Sequence, residues 1–116
     1  MKHANDNIGV YNCTENYYRH WLLGFKFTDG VKALADHWNA YWLIDLIVSH
    51  QVEPKVKAEG FQVWDLKRVK DSKFVAICTD GNKNHVTQQV IPFSDFPFDT
   101  ATIWLIDGVL LLPSEY

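Results

Sequence analysis

Strong chemical signatures are missing from this chain of 116 residues. It has no phosphate-binding glycine loop, CxxC pair, HExxH helix or GxSxG elbow, so the reactions those motifs announce have no support. Cysteine is scarce. Cys13 and Cys78 allow one bridge at most, and a domain with this much apolar material does not need it, so free thiols in a reducing compartment are expected. Long apolar runs are also lacking: the stretch 40–44 stops at Asp45, far short of the roughly 20 residues a membrane span requires. Residues 1–7 are polar, with nothing a signal peptidase would recognise. A cytoplasmic protein without membrane association is the expectation. Nor is there a basic stripe. The net charge is −3, and the densest cationic cluster, Lys67, Arg68, Lys70 and Lys73, is interrupted by Asp71 and falls at a predicted hairpin turn. Nucleic acid is therefore disfavoured as a general partner.

What is present describes one globular domain. The length is too short for two comfortable cores, and folding at this size removes roughly 65% of the unfolded chain's surface from water, enough for a core without staples. Hydrophobic residues at 47% and charged residues at 22% fit that class and suggest neither disorder nor a fibrous repeat. Aromatic residues are the unusual feature: seven Phe, five Tyr and five Trp. Large rings demand shaped neighbours, so most should pack the core, while any left exposed are binding candidates.

Along the chain, residues 1–13 show little periodicity and read as an irregular lead-in. Thr14 is a possible cap for a short helix that would gather Tyr17, Tyr18, Trp21 and Leu22 on one face before Gly24 ends it. Phe25 and Phe27 alternate with polar neighbours as a short strand does. Val31, Leu34, Ala35 and Trp38 form a helical stripe, with Thr28 or Asp29 as cap and Asn39 as break. Residues 40–51 predict a second helix, apolar nearly all round and therefore central, with Trp42, Leu43 and Ile47 buried. After Gly60 the period becomes extended. Runs at 61–69, 74–79, 86–91, 102–106 and 109–112 are joined by connections too short for parallel crossovers, the clearest being the Asp107-Gly108 hairpin turn. The expected fold class is α+β: N-terminal helices packed on a mostly antiparallel C-terminal sheet of about five to six strands.

Asp45 is the residue that most needs explaining, because an unpaired charge inside an apolar helix costs several kcal/mol. Either Asp45 and Ser49 form a narrow solvent-facing stripe, or Asp45 is answered by Arg19, His20 or a tyrosine hydroxyl beside a pocket; a hydrogen bond from a side chain of the 14–21 segment is expected. Cys13 and His20 are close enough in sequence to form a nucleophile and base, but their spacing does not require it. Cys78, among Val75, Ala76 and Ile77, reads as a small buried hydrophobe. His3, His20, His37, His50 and His85 share no metal-ligand spacing. No catalytic residue, metal or cofactor is implied. The binding candidates are Tyr17, Tyr18, His20, Trp21, Asp45, Glu115 and Tyr116.

The segments TENYYRHW (14–21), TDGVK (28–32), AYWLID (40–45), FQVW (61–64) and GVLLLPSEY (108–116) resemble a family of small bacterial proteins carried as a domain of unknown function. The resemblance covers nearly the whole chain. It implies a bacterial, cytoplasmic single domain often associated with mobile elements, and it carries over no activity or site. The favoured reading is a non-catalytic module that contacts another protein through aromatic surface near residues 17–21 and 113–116. The alternatives are a small enzyme or ligand binder with a pocket at Asp45 and His20, and a nucleic-acid accessory protein using the turn at residues 67–73. Oligomeric state is left open.

Overall fold

The computed structural model describes residues 2–9, 16–22 and 24–116. The apolar stripe from Val31 to Trp38 forms helix α1 (Asp29–Trp38). Thr28 caps it, its hydroxyl oxygen accepting the Val31 N–H at 3.4 Å, and Asn39 ends it with φ 51°, a left-handed conformation that asparagine tolerates. Helix α2 (Tyr41–Ser49) buries Leu43, Ile44, Leu46, Ile47 and Val48, while Trp42 is only partly buried. It runs on as a 3₁₀ turn, His50–Val52, and a single turn, α3 (Pro54–Lys57), starts at the proline, which lacks the N–H that a first helical residue leaves unpaired anyway.

Among the described residues seven strands make one sheet: β1 (Tyr17–Arg19), β2 (Lys26–Thr28), β3 (Phe61–Lys70), β4 (Lys73–Asp80), β5 (His85–Ile91), β6 (Thr100–Ile106) and β7 (Val109–Leu111). Their order is β1-β2-β7-β6-β3-β4-β5. Every pairing within residues 61–112 is antiparallel, as the short connections predict. The Asp107-Gly108 turn has φ 49° and 81°, positive at both central residues as a tight hairpin turn of that kind requires.

The α+β class holds, but the sheet corrects its details. It has seven strands, not five or six, and it is mixed, because β2 lies parallel to β7 with Lys26 opposite Val109 and Phe27 opposite Leu110. The helices are not N-terminal either, since β1 and β2 precede them. From the pairings, β2 and β3 run in the same direction with β7 and β6 between them, and the three helices form the crossover that joins them. The helix expected after Thr14 is instead edge strand β1. Tyr17 and Arg19 are exposed while Tyr18 and His20 turn inward, a period of two that a helix cannot satisfy. Gly24, read as a helix terminator, sits at φ 74° in the connection to β2, which the His20 N–H closes by donating to the Phe25 carbonyl at 2.6 Å. Thr14, the expected cap, and Cys13 lie outside the described residues.

One face of the sheet carries the core. Trp64, Leu66, Phe74, Ala76, Cys78, Ala101, Ile103, Leu105 and Leu110 are buried there against the helices. Two buried amides join the layers: Gln51 and Gln62 exchange reciprocal hydrogen bonds of 2.9 Å, and the Trp64 indole N–H donates to Gln62 at 2.9 Å. On the other face Phe61, Trp104 and Tyr116 pack as three rings with centroids 5.1 to 6.1 Å apart.

The first residues are docked, not loose. Where β7 stops, the Asn5 side chain continues the ladder on β6, donating to the Thr102 carbonyl and accepting its N–H, both at 2.8 Å. Ala4 is fully buried beside it. The cationic turn is likewise absorbed in part. Arg68 lies over the Phe74 ring and donates to Asp99, to the Phe96 and Phe98 carbonyls and to the Asp71 carbonyl, so its charge belongs to the fold.

Candidate functional site

The inward-facing side of β1 meets the exposed sides of α1 and α2, and this junction gathers four of the seven residues singled out from sequence. His20 is the pivot. It is 5% exposed, and its Nε2 lies 2.6 Å from Asp45 Oδ1. Its Nδ1 accepts the Leu22 N–H at 3.0 Å, which requires a lone pair there, so the ring proton sits on Nε2 and is donated to the carboxylate. Asp45 is thus answered by the 14–21 segment. Its side chain is nevertheless 54% exposed, so it combines the solvent-facing stripe with the polar partner. Both nitrogens of His20 are committed, which leaves neither free to take a proton from a substrate in this arrangement.

On this clamp rests Trp21. Its ring stacks on His20 with centroids 5.4 Å apart at 28°, yet it is 79% exposed. Next to it runs a polar shelf that the sequence reading did not assemble. Tyr18 packs on Phe27 at 5.6 Å and donates its hydroxyl to Asp29 at 2.9 Å. Lys32 donates to Asp36 at 2.6 Å and lies over the Tyr18 ring, while the Tyr41 hydroxyl donates to Asp36 at 2.5 Å. Tyr41 and Asp45 are one helical turn apart on α2, as Lys32 and Asp36 are on α1. That i, i+4 spacing was the available signal. Asn16, Tyr18, Asp29, Lys32, Ala33 and Asp36 line a groove of about 360 Å³.

The electrostatics of the shelf are those of closed pairs. The bond to Asp29 raises the Tyr18 phenol above its ordinary value, and the bond to Asp36 does the same for Tyr41. Asp36 is pulled below the usual carboxylate range, first by Lys32 and then by Tyr41, and Lys32 is raised in return. Each shift moves its group away from neutrality, whereas a general acid or base works best near the operating pH.

The remaining residues fall on the sheet's other face. Tyr17 lies opposite Thr28 in the β1–β2 register, and Thr28 donates its hydroxyl to Glu115 at 2.6 Å. Glu115 also accepts the Gly30 N–H at 3.1 Å and the Leu112 N–H at 2.9 Å. This carboxylate therefore latches the C-terminal turn to the start of α1, where negative charge meets the positive end of the helix dipole. Tyr116 belongs to the Phe61–Trp104 ring cluster. Cys78 is a fully buried free thiol pushed up to about 12 by burial, with Glu59 and Asp80 adding to it. Among the described residues no three His, Cys, Asp or Glu are grouped as a metal site requires, and no helix is long and apolar enough to cross a membrane.

Fold and site together define a small α+β domain that presents paired polar groups and exposed rings around an edge strand. The chain belongs to the family of unknown function DUF6876, whose model matches residues 2–116. No curated protein and no solved structure matches it.

Proposed function

We propose that the protein is a non-catalytic binding module of the bacterial cytoplasm that contacts another protein through the aromatic surface around β1 and the C-terminal turn. The observation that carries this reading is Trp21. A large ring left 79% exposed but held by a histidine fixed at both nitrogens loses little conformational freedom when a partner covers it, and tryptophan dominates binding hot spots. Tyr17 and Tyr116, both exposed, extend the surface on the side of the Thr28–Glu115 latch. The buried free Cys78 fits a reducing compartment. An enzyme built on His20 and Asp45 is less well supported, because the histidine has no free nitrogen and Asp45 faces water. A nucleic-acid role for the turn at residues 67–73 is weakened by the use of Arg68 within the fold.

The test is affinity capture from a bacterial lysate with wild-type and Trp21→Ala proteins as baits, followed by mass spectrometry of proteins and small molecules. A protein retained in near-stoichiometric amount by the wild type and lost with Trp21→Ala is the expected result. Equal capture by both baits, or a co-purifying small molecule without any protein, would overturn the reading.

A further inference from the structure

The two edges of the sheet are built differently. Edge strand β1 has three residues, short enough to discourage pairing with another chain. The opposite edge, β5, has seven, with the sequence HVTQQVI. It carries no Lys, Arg, Asp, Glu or Pro, and its one register shift, which skips Val86 between His85 and Thr87, leaves residues 87–91 regularly paired with β4. Natural proteins guard long edges with charges, prolines or bulges; here the one irregularity lies at the start of the strand, and residues 87–91 carry none of these devices.

Beside the same edge, on the helix-covered side of the sheet, lies a cleft of about 390 Å³ lined by Trp42, Ile91, Phe93, Ser94 and Asp95. Its size is within the range of about 300–1,000 Å³ typical of ligand pockets. Ile91 pairs with the fully buried Phe74, so its side chain and the cleft share one side of the sheet. Phe93 stands 73% exposed at the rim, and Val90, on the opposite side, is also exposed. Asp95 is exposed at the cleft and has no hydrogen-bond or ion-pair partner among the described residues.

We propose that β5 takes up an extended peptide from a partner protein as an additional strand, seating one bulky apolar side chain in the Trp42–Phe93 cleft and a neighbouring lysine or arginine against Asp95. Strand addition draws its affinity from main-chain hydrogen bonds and its specificity from pockets for alternate side chains. The edge supplies the first requirement and the cleft the second. The lone carboxylate sets the charge of the peptide. This surface is separate from Trp21, so either assignment can fail without the other.

A random octapeptide library displayed on phage, selected against the intact protein, provides the test. Enriched peptides should alternate, with a large apolar residue near a Lys or Arg. A synthetic copy should shift the backbone amide resonances of residues 86–91. Methylating alternate amide nitrogens of that peptide should weaken binding at least tenfold, as should Phe93→Ser, a surface change with little effect on folding. Asp95→Lys should reverse the preference from basic to acidic peptides. Failure to enrich peptides over a Phe93→Ser control overturns the proposal, as does binding indifferent to amide methylation. Concentration-dependent dimerisation that protects the same amides overturns it too, assigning the edge to a second copy of the chain.

Discussion

Replacing Asp45 by leucine would leave the Nε2–H of buried His20 facing an alkyl group. A stranded donor costs about 1–3 kcal/mol, and because Asp45 borders water the lower part of that range is expected in urea unfolding. Asp45→Asn keeps an acceptor oxygen and should cost less. No measurable loss in Asp45→Leu would mean that the clamp contributes nothing to stability. Gly30 is constrained by its neighbours: a Cβ there would lie 2.5 Å from Glu115 Oε1 and 2.8 Å from Leu112 Cδ1. Alanine is the better helix former by about 1 kcal/mol, yet Gly30→Ala should destabilise by about 1–3 kcal/mol, the usual cost of overpacking. Part of that loss should vanish in a Glu115→Ala background, as a double-mutant cycle would measure. Cys78 sets an alkaline limit. Its thiol ionises at about 12 in the fold against an ordinary 9.0, so the unfolded chain loses its proton first. The stability is intact below pH 9 and declines as pH rises toward 12, by roughly 1.4 kcal/mol per unit. Cys78→Ala, compared with the wild type at about pH 8 and about pH 10, should remove that part of the decline.

At the level of elements, α2 holds the centre. Ile47 is fully buried, and Ile47→Ala should cost about 2–5 kcal/mol in equilibrium unfolding, a loss below about 0.5 kcal/mol being incompatible with a central helix. Helices α1 and α2 and strands β3 to β7 could be read from sequence because their signals are local: apolar period, the Thr28 cap, the Asn39 break and the Asp107-Gly108 turn. Strand β1 is not legible locally because Tyr17, Tyr18, Trp21 and Leu22 satisfy a helical spacing, and what decides for a strand is pairing with β2. The bond between His20 and Asp45 was legible for a general reason, since a charge in an apolar helix must find a partner. The shelf and the Glu115 latch were not. They depend on which faces of α1 and β1 meet, and on a parallel pairing between segments far apart in the chain, neither of which any local pattern encodes.

The whole molecule, with a radius of gyration of 13.1 Å, is closed by contacts between its sequence-distant ends: β2 on β7, Asn5 on β6 and Glu115 on Thr28. Such contacts reward the chain only after a long loop has been closed, so they should form late in folding. Glu115→Ala is then expected to speed unfolding while leaving the refolding rate nearly unchanged in stopped-flow chevrons, and a refolding rate slowed in proportion to the lost stability would place the latch in the folding nucleus instead. The parallel pairing of β2 with β7 has a mechanical consequence as well. Force applied between the beginning and the end of the chain draws the two strands lengthwise in opposite directions, so their shared hydrogen bonds are strained together and must break at once, whereas an antiparallel pair pulled from its open end unzips one bond at a time. An unfolding motor gripping the chain at its C-terminal end would therefore first have to release the Glu115 latch and the Tyr116 ring, and would then meet this shear resistance at the short strand β7.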